Sequence, residues 1–409
     1  MTSSFIYPAD APERQSVLGV FYQGPPETGT PATDMVTRST MPWVRGINPD
    51  SWANNPFGCT QRVLARLTVN KTDAEDHAMF TSQGRLGAER YFERIKGRLE
   101  KLRAMGIRDI GTTNEPHVTA DTRQAYTAFW LRMTELYTNA GMNHWALDLG
   151  AGWPDLGQGA WYADVAEQVM QAGGGLCLHE YGAPHVMAGN GYLVGRYFNH
   201  TMPELAAADV DVDNLPVIIG EFGISAGVNE ATRGKGDVGW QAFKQWVYPP
   251  EFGLPQGVMN EERYWRQCSA ADDYYKKHRQ IVAVTPFVTC PTKQWVSFDW
   301  GGGLIGRSVA KYVPAPVVAP PPPAPLLPGT PDETVIRIAD GFIDALPITY
   351  KAALLAGLEY LGEVKIAEGR FLAVCVDRAT QQYKTIAVVH DGDEWLAQPP
   401  ATLNRRLTL

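Results

Sequence analysis

Up to about residue 312 the chain alternates short apolar runs with longer amphipathic stretches. Eight runs read as strands: 16–22 (SVLGVFY), 42–47 (PWVRGI), 62–69 (RVLARLTV), 107–113 (IRDIGTT), 144–150 (HWALDLG), 175–181 (GLCLHEY), 216–222 (PVIIGEF) and 281–288 (IVAVTPFV). Short, nearly continuous apolar runs suit strands that are buried on both faces. The stretches between them keep a helical period. In 88–106 (AERYFERIKGRLEKLRAMG), Tyr91, Ile95, Leu99 and Leu102 fall on one face, and Gly106 follows as a stop. The segment 120–141 does likewise and ends at Gly141, and 161–175 and 260–280 complete the pattern. Eight strands with helical crossovers in a segment of this length give the α/β class and the (β/α)8 TIM barrel as the expected fold. A doubly wound sheet is the structural competitor.

A break in composition follows. From Pro314 to Pro331, nine of eighteen residues are proline, which predicts an extended spacer of up to about 50 Å at roughly 3 Å per residue. The expected organisation is a barrel domain over 1–312, a Pro-rich linker over 313–331 and a small α+β C-terminal domain over 332–409. In that tail 347–362 (PITYKAALLAGLEYLG) reads as a helix, and RFLAVCVDR and KTIAVVHDG as a hairpin. It is read as an accessory or docking module for a glycan or a protein partner.

The totals narrow the chemistry. Of 409 residues, 44% are hydrophobic and 20% charged, and the net charge is −8. That composition supports a sizeable core and argues against nucleic acid or an anionic membrane as the main partner. No apolar run is long enough to span a membrane. The five cysteines, Cys59, Cys177, Cys268, Cys290 and Cys375, form no CxxC pair, so free thiols are expected rather than a disulfide framework or a zinc site. The opening MTSSFIYPADAPERQ has neither a basic nor an apolar signal region. A cytoplasmic location is the default expectation, with export by another route or attachment to a larger particle as the alternative. Twelve Trp and seventeen Tyr supply flat apolar faces of the kind that suit sugar rings.

Barrel enzymes carry their reactive groups at the C-terminal ends of the strands. Here strand four ends in Asn114-Glu115-Pro116, strand six in His179-Glu180-Tyr181, and strand seven in Gly220-Glu221-Phe222-Gly223. Strand eight is followed by KQWVSFDWGGG, with Trp295 and Trp300. Glu115 and Glu221 would face each other across the mouth. Glycosidic bond cleavage needs such a pair: one carboxyl protonates the leaving oxygen, and the other attacks or shields the anomeric carbon. Two close carboxylates also drive their own pKa values apart. A separation of about 5–5.5 Å goes with retention and about 6.5–9.5 Å with inversion. In this scheme Asn114 donates to the sugar 2-hydroxyl, Tyr181 holds the nucleophile, and His179 orients the acid or binds substrate. A Trp after strand eight, preferably Trp300, forms the floor. Trp153, after strand five, is a subsite candidate. Glu180 alternates with its neighbours and is expected to point away from the pocket.

The three strand ends NEP, HEY and IIGEFG together resemble the clan A retaining glycoside hydrolases, and within that clan the cellulase-type family of endo-glucanases and mannanases. The resemblance covers roughly residues 16–312. It implies Glu115 as acid/base and Glu221 as nucleophile, a carbohydrate substrate, and no metal or cofactor. The clan's strand-two arginine is matched by Arg45 in PWVRGIN. Its His-Asn pair around strand three has only HAMF, from His77, to correspond to it. That gap motivates an alternative: a barrel without turnover that binds glycan or serves as an assembly component. Two other patterns carry less. The histidines of HEYGAPH are six apart and do not share a helix face as zinc-protease ligands do. Gly301–Gly306 matches GxGxxG but follows the last strand, and the proline linker stands where the acidic partner would be. It reads as a turn into the last helix, with a phosphate-using barrel as a third possibility.

Overall fold

The structure, a computed structural model, describes residues 6–7, 14–26, 30–57, 61–187, 192–229, 232–289, 291 and 293–312, together with six strands between 336 and 402. The chain divides into two compact units, Met1–Val317 and Val318–Leu409. The proline-rich segment 313–331 lies outside the described residues.

The first unit is a (β/α)8 barrel. Its strands are β1 (Val20–Tyr22), β2 (Trp43–Ile47), β3 (Arg62–Arg66), β4 (Asp109–Ile110), β5 (Asn143–Leu149), β6 (Gly175–Gly182), β7 (Val217–Ile224) and β8 (Ile281–Pro286). They run in chain order, each parallel to the next. Every predicted run contains or overlaps one of them. The ring closes where Leu18 bridges to Val284 and Tyr22 to Thr289. β4 is far shorter than its apolar run. Its ladder ends at Ile110, but the amide of Gly111 still donates to the Ala65 carbonyl and that of Glu115 to the Asp148 carbonyl, each at 2.8 Å.

Among the described residues eight α-helices surround the ring: α1 (Pro31–Arg38), α2 (Asp73–Met79), α3 (Gly84–Ala104), α4 (Arg123–Asn139), α5 (Ala163–Gln171), α6 (Met202–Ala206), α7 (Glu261–Tyr275) and α8 (Gly301–Ala310). The predicted face of α3, Tyr91, Ile95, Leu99 and Leu102, is the buried one. Thr72 and Glu75 form a capping box at the start of α2, and Asn260 caps α7, each satisfying an amide that the first turn leaves unpaired. The glycine-rich stretch from Gly301 forms the first turns of α8 itself. Among the described residues no helix is long and apolar enough to cross a membrane.

The second unit shows β9 (Ile336–Ile338), β10 (Glu359–Ala367), β11 (Arg370–Asp377), β12 (Gln382–Asp391), β13 (Glu394–Ala397) and β14 (Ala401–Thr402). They make one antiparallel sheet in the order β9-β13-β12-β11-β10, with β14 pairing β12. The expected hairpin is the β11–β12 pair. The expected helix is corrected at its end: Glu359–Gly362 already belong to β10, where Glu359, Tyr360 and Gly362 pair with Val376, Cys375 and Val374 of β11. The remainder of that helix, 347–358, lies outside the described residues.

Candidate active site

Strand alternation stacks the barrel interior in layers. The lowest holds Trp43, Leu64, Trp145, Cys177, Ile218, Val282 and Ala283. Two positions further along β2, β3 and β6 come Arg45, Arg66 and His179. Tyr181 stands above His179, and Glu221 lies beside it in register. An apolar floor is therefore capped by a layer of charge.

Arg45 is fully buried. It donates to Asp148 Oδ1 at 2.9 Å and Oδ2 at 3.1 Å, and Phe21 lies under its guanidinium at 4.9 Å. Gly220 makes the room: a Cβ there would stand 1.9 Å from Arg45 Nη1. Asp148 also lies 2.8 Å from His179 Nε2 and accepts from the Cys177 thiol at 2.9 Å. On its other side, His179 Nδ1 is 2.9 Å from Glu115 Oε1 and 3.6 Å from Glu221 Oε2. Tyr181 donates to Glu221 Oε2 at 2.9 Å. Arg66 donates to Glu221 Oε1 at 3.3 Å and to the Asn114 side-chain oxygen. The Asn114 amide nitrogen donates to Asp73 at 3.1 Å.

Buried charges stay ionised only when paired. Burial alone would raise the Asp148 carboxyl, but Arg45 and His179 reverse this and hold it well below the usual carboxylate range. Burial would likewise strip the proton from His179. Glu221, Asp148 and Glu115 outweigh it, and the imidazole is held well above its ordinary value. The Glu115 carboxyl feels burial upward, and the His179 bond and charge together with Arg66 pull it down further. Burial, reinforced by Asp148, pushes the Cys177 thiol up to about 11, so it remains a thiol.

A carboxylate oxygen of Glu115, one of Glu221 and a ring nitrogen of His179 lie within 4.8 Å of one another. Glu115 and Glu221 stand in a cleft of about 820 Å³ whose walls include Arg66, Asp73, Asn114, Trp153, Tyr181, Arg233, Asp237 and Trp295. The second cluster of donor atoms, Asp148, Cys177 and His179, is already served by the Arg45 guanidinium, so the chain's own cation fills that place.

The expected site residues are placed as follows. Glu115, Asn114, Tyr181, Glu221 and Trp153 line the cleft, and Trp153 meets the His117 ring edge-on at 4.9 Å. His179 lies just beneath. Glu180 points outward, as its alternation requires, and accepts from the Gly195 and Tyr197 amides and the Tyr275 hydroxyl. Three expectations are corrected. Trp300 is fully buried, at 0% exposure, packed on Tyr264 and Trp265, because it leads directly into α8. Trp295, in the turn before it, is the ring that reaches the cleft. Arg45 lies below the cleft with its charge spent on Asp148, so it is not a substrate contact. His77 sits on α2 against Tyr126; it does not line the cleft itself but bonds the backbone of Asn114, which does.

Sequence reading missed Arg66, Asp73 and the weight of Asp148. Arg66 carried a signal: it follows Leu64 by two, so it shares the inward face of β3. Asp148, a carboxylate inside the apolar run of strand five, reads as an inner-layer or subsite candidate, but nothing in the run points it inward. Counting from inward Trp145, alternation sends residue 148 outward, but β5 is irregular between Leu147 and Leu149. Leu147 and Asp148 both take positive φ, 82° and 50°, and this turns the carboxylate inward.

No protein-family model matches the chain, and no curated protein is similar to it in sequence. Among solved structures, the spore cortex-lytic enzyme SleL of Bacillus megaterium shares 11% identity over 75% of this chain and 76% of its own, with a TM-score of 0.43. A GH18 chitinase from Cycas revoluta shares 10% over 72% and 98%, with a TM-score of 0.44. SrfJ from Salmonella typhimurium shares 11% over 97% and 92%, with a TM-score of 0.41. Likeness this distant carries no chemistry to this chain, and the site must speak for itself.

Proposed function

We propose that the barrel is a retaining glycoside hydrolase acting on a β-linked oligo- or polysaccharide. The observation that carries this reading is the short approach of Glu115 and Glu221, whose nearest placed oxygens lie within 4.8 Å at the C-terminal mouth of the barrel. That spacing suits a nucleophile with direct access to the anomeric carbon and leaves little room for the interposed water that inversion needs.

Glu221 is the nucleophile. Tyr181 and Arg66 hold its two oxygens and aim it into the cleft. Glu115 is the acid/base. In the free site one proton is shared across the 2.9 Å contact between Glu115 and His179 Nδ1. With the proton on Glu115 the leaving oxygen is protonated as Glu221 forms the glycosyl ester and the glycosidic bond breaks. Glu115, now ionised, takes a proton from water, whose oxygen displaces Glu221 from the sugar. Asn114, with a second amide hydrogen beside the one given to Asp73, is the donor for the sugar 2-hydroxyl. Trp153 and Trp295 line the same cleft and are the aromatic candidates for stacking on sugar rings.

The test is turnover of a panel of β-linked glycans by the full chain and by Glu221→Gln and Glu115→Gln. Both variants should fold. Glu221→Gln should be inactive. Glu115→Gln should keep measurable action only on aryl glycosides whose leaving groups need no proton. Proton NMR of the first-formed anomer should show the β form. An α product would point to inversion, and undiminished turnover by Glu221→Gln would remove the assignment.

A further inference from the structure

We propose that Asp148, which touches neither reacting group through its side chain, is the positioning residue of the site: it fixes which nitrogen of His179 carries hydrogen and where Glu115 stands. The catalytic consequence rests on the glycosidase reading above, whereas the geometry does not.

Four observations converge on this residue. Its carboxylate is buried and accepts from Arg45 twice, and it meets His179 Nε2 and the Cys177 thiol. It reaches that place only because β5 departs from strand geometry at two successive non-glycine residues, Leu147 and Asp148. Each left-handed residue costs about 1 kcal/mol or more, so a strained segment is being held in place by what it carries. Its backbone carbonyl accepts the Glu115 amide at 2.8 Å. Glu115 is itself in the left-handed region, with φ of 46°, and Gly150, two positions after Asp148, leaves the space into which the Glu115 side chain packs.

The hydrogen assignment follows from the donors and acceptors around the ring. Asp148 is an ionised acceptor 2.8 Å from His179 Nε2. Arg45 Nη1, 3.1 Å from the same nitrogen, can only donate and by itself would favour a bare Nε2. It is the longer contact, however, and its charge is already bound to Asp148. Were Nε2 bare, its lone pair would face the Asp148 oxygen at 2.8 Å. With hydrogen on Nε2, that contact becomes a charge-assisted hydrogen bond, and Arg45 and His179 converge on one carboxylate. Nδ1 is then the nitrogen that faces Glu115 Oε1 and Glu221 Oε2. The one mobile proton lies on Nδ1 or on Glu115 and nowhere else. An uncharged residue at 148 removes this constraint. The ring can then keep hydrogen on Nδ1 and turn its bare Nε2 to Arg45, leaving Glu115 without a proton to receive. The other charged or titratable groups that face the ring are those already named: Arg45, Cys177, Glu115 and Glu221.

The experiment is nitrogen NMR of the imidazoles in the full chain, with the His179 signals assigned by their loss in His179→Gln, beside pH–rate profiles of wild type and Asp148→Asn. The wild-type ring should carry hydrogen on Nε2 from neutral to alkaline pH. In Asp148→Asn the His179 titration should fall by about 1–2 pH units. Its kcat should drop on the order of 10²-fold, with KM within about threefold, and the pH–rate limb should move with the titration. A residue that merely fills the core would lower the melting temperature and leave the titration and the activity per folded molecule in place. That result overturns the proposal, as does a bare Nε2 in wild type. Should Asp148→Asn not fold, the double variant Arg45→Gln/Asp148→Asn removes both buried charges and allows the same comparison. If wild type cleaves no glycan, the glycosidase reading fails, while the NMR comparison still decides the role of Asp148.

Discussion

Tyr181 and Glu221 stand side by side on β6 and β7, the phenol oxygen 2.9 Å from Glu221 Oε2. The hydroxyl is buried beside a carboxylate, and burial together with that charge holds its pKa well above the ordinary value. It therefore stays a donor at any working pH.

Tyr181→Phe removes this bond without changing shape. A hydrogen bond to a charged group contributes about 1.5–3 kcal/mol, so kcat should fall roughly 10- to 10²-fold. The melting temperature should move little. Steady-state kinetics and a thermal melt on the same preparation check both halves.

Trp295 and Trp300 should separate cleanly. Trp295→Ala takes a ring from the cleft wall, so KM should rise by about tenfold or more while the melting temperature is nearly unchanged. Trp300→Ala opens a cavity under Tyr264 and Trp265 and should cost about 3–5 kcal/mol of stability with KM unaltered in the folded fraction. Denaturant titration beside substrate saturation curves reads the two effects.

His144 predicts an acid-sensitive barrel. It is fully buried, with Nδ1 donating to Thr134 Oγ1 at 2.7 Å, and burial lowers its pKa to about 3. The unfolded chain takes up a proton near pH 6.5, which the folded chain refuses. This contribution to stability is therefore complete above about pH 6.5 and is lost as pH falls toward 3. The loss is on the order of 5 kcal/mol at the acid end. His144→Gln should show a shallower fall in melting temperature between pH 7 and 4, and an identical slope would remove His144 as the cause.

The barrel was legible because its strands are buried on both faces and so write continuous apolar runs. The polar ends of β4, β6 and β7 that meet at the cleft were legible because charged and polar residues break those runs at the same height. What failed to show depended on events without a local pattern. The irregularity that turns Asp148 inward has no glycine or proline to announce it. The choice between Trp295 and Trp300 is made by where α8 starts, and both tryptophans sit among turn residues. Arg66 was readable in principle from the alternation of β3, since it lies inside the run 62–69 two positions after Leu64. In the tail, Glu359–Gly362 lack any marker that would stop a helical reading before β10 begins.

The join between β8 and β1 has a consequence for how the barrel gives way. Elsewhere neighbouring strands share runs of successive paired residues, as few as two on either side of β4. Here, among the described residues, two isolated bridges, each flanked by two backbone hydrogen bonds, close the ring. This makes the join a seam, the line along which hydrogen exchange should penetrate first. The strand that would peel back carries Phe21, the ring that covers Arg45. Opening the seam would therefore admit water to the charged layer long before the apolar floor beneath it melts, and the site would lose its order while most of the fold still stood.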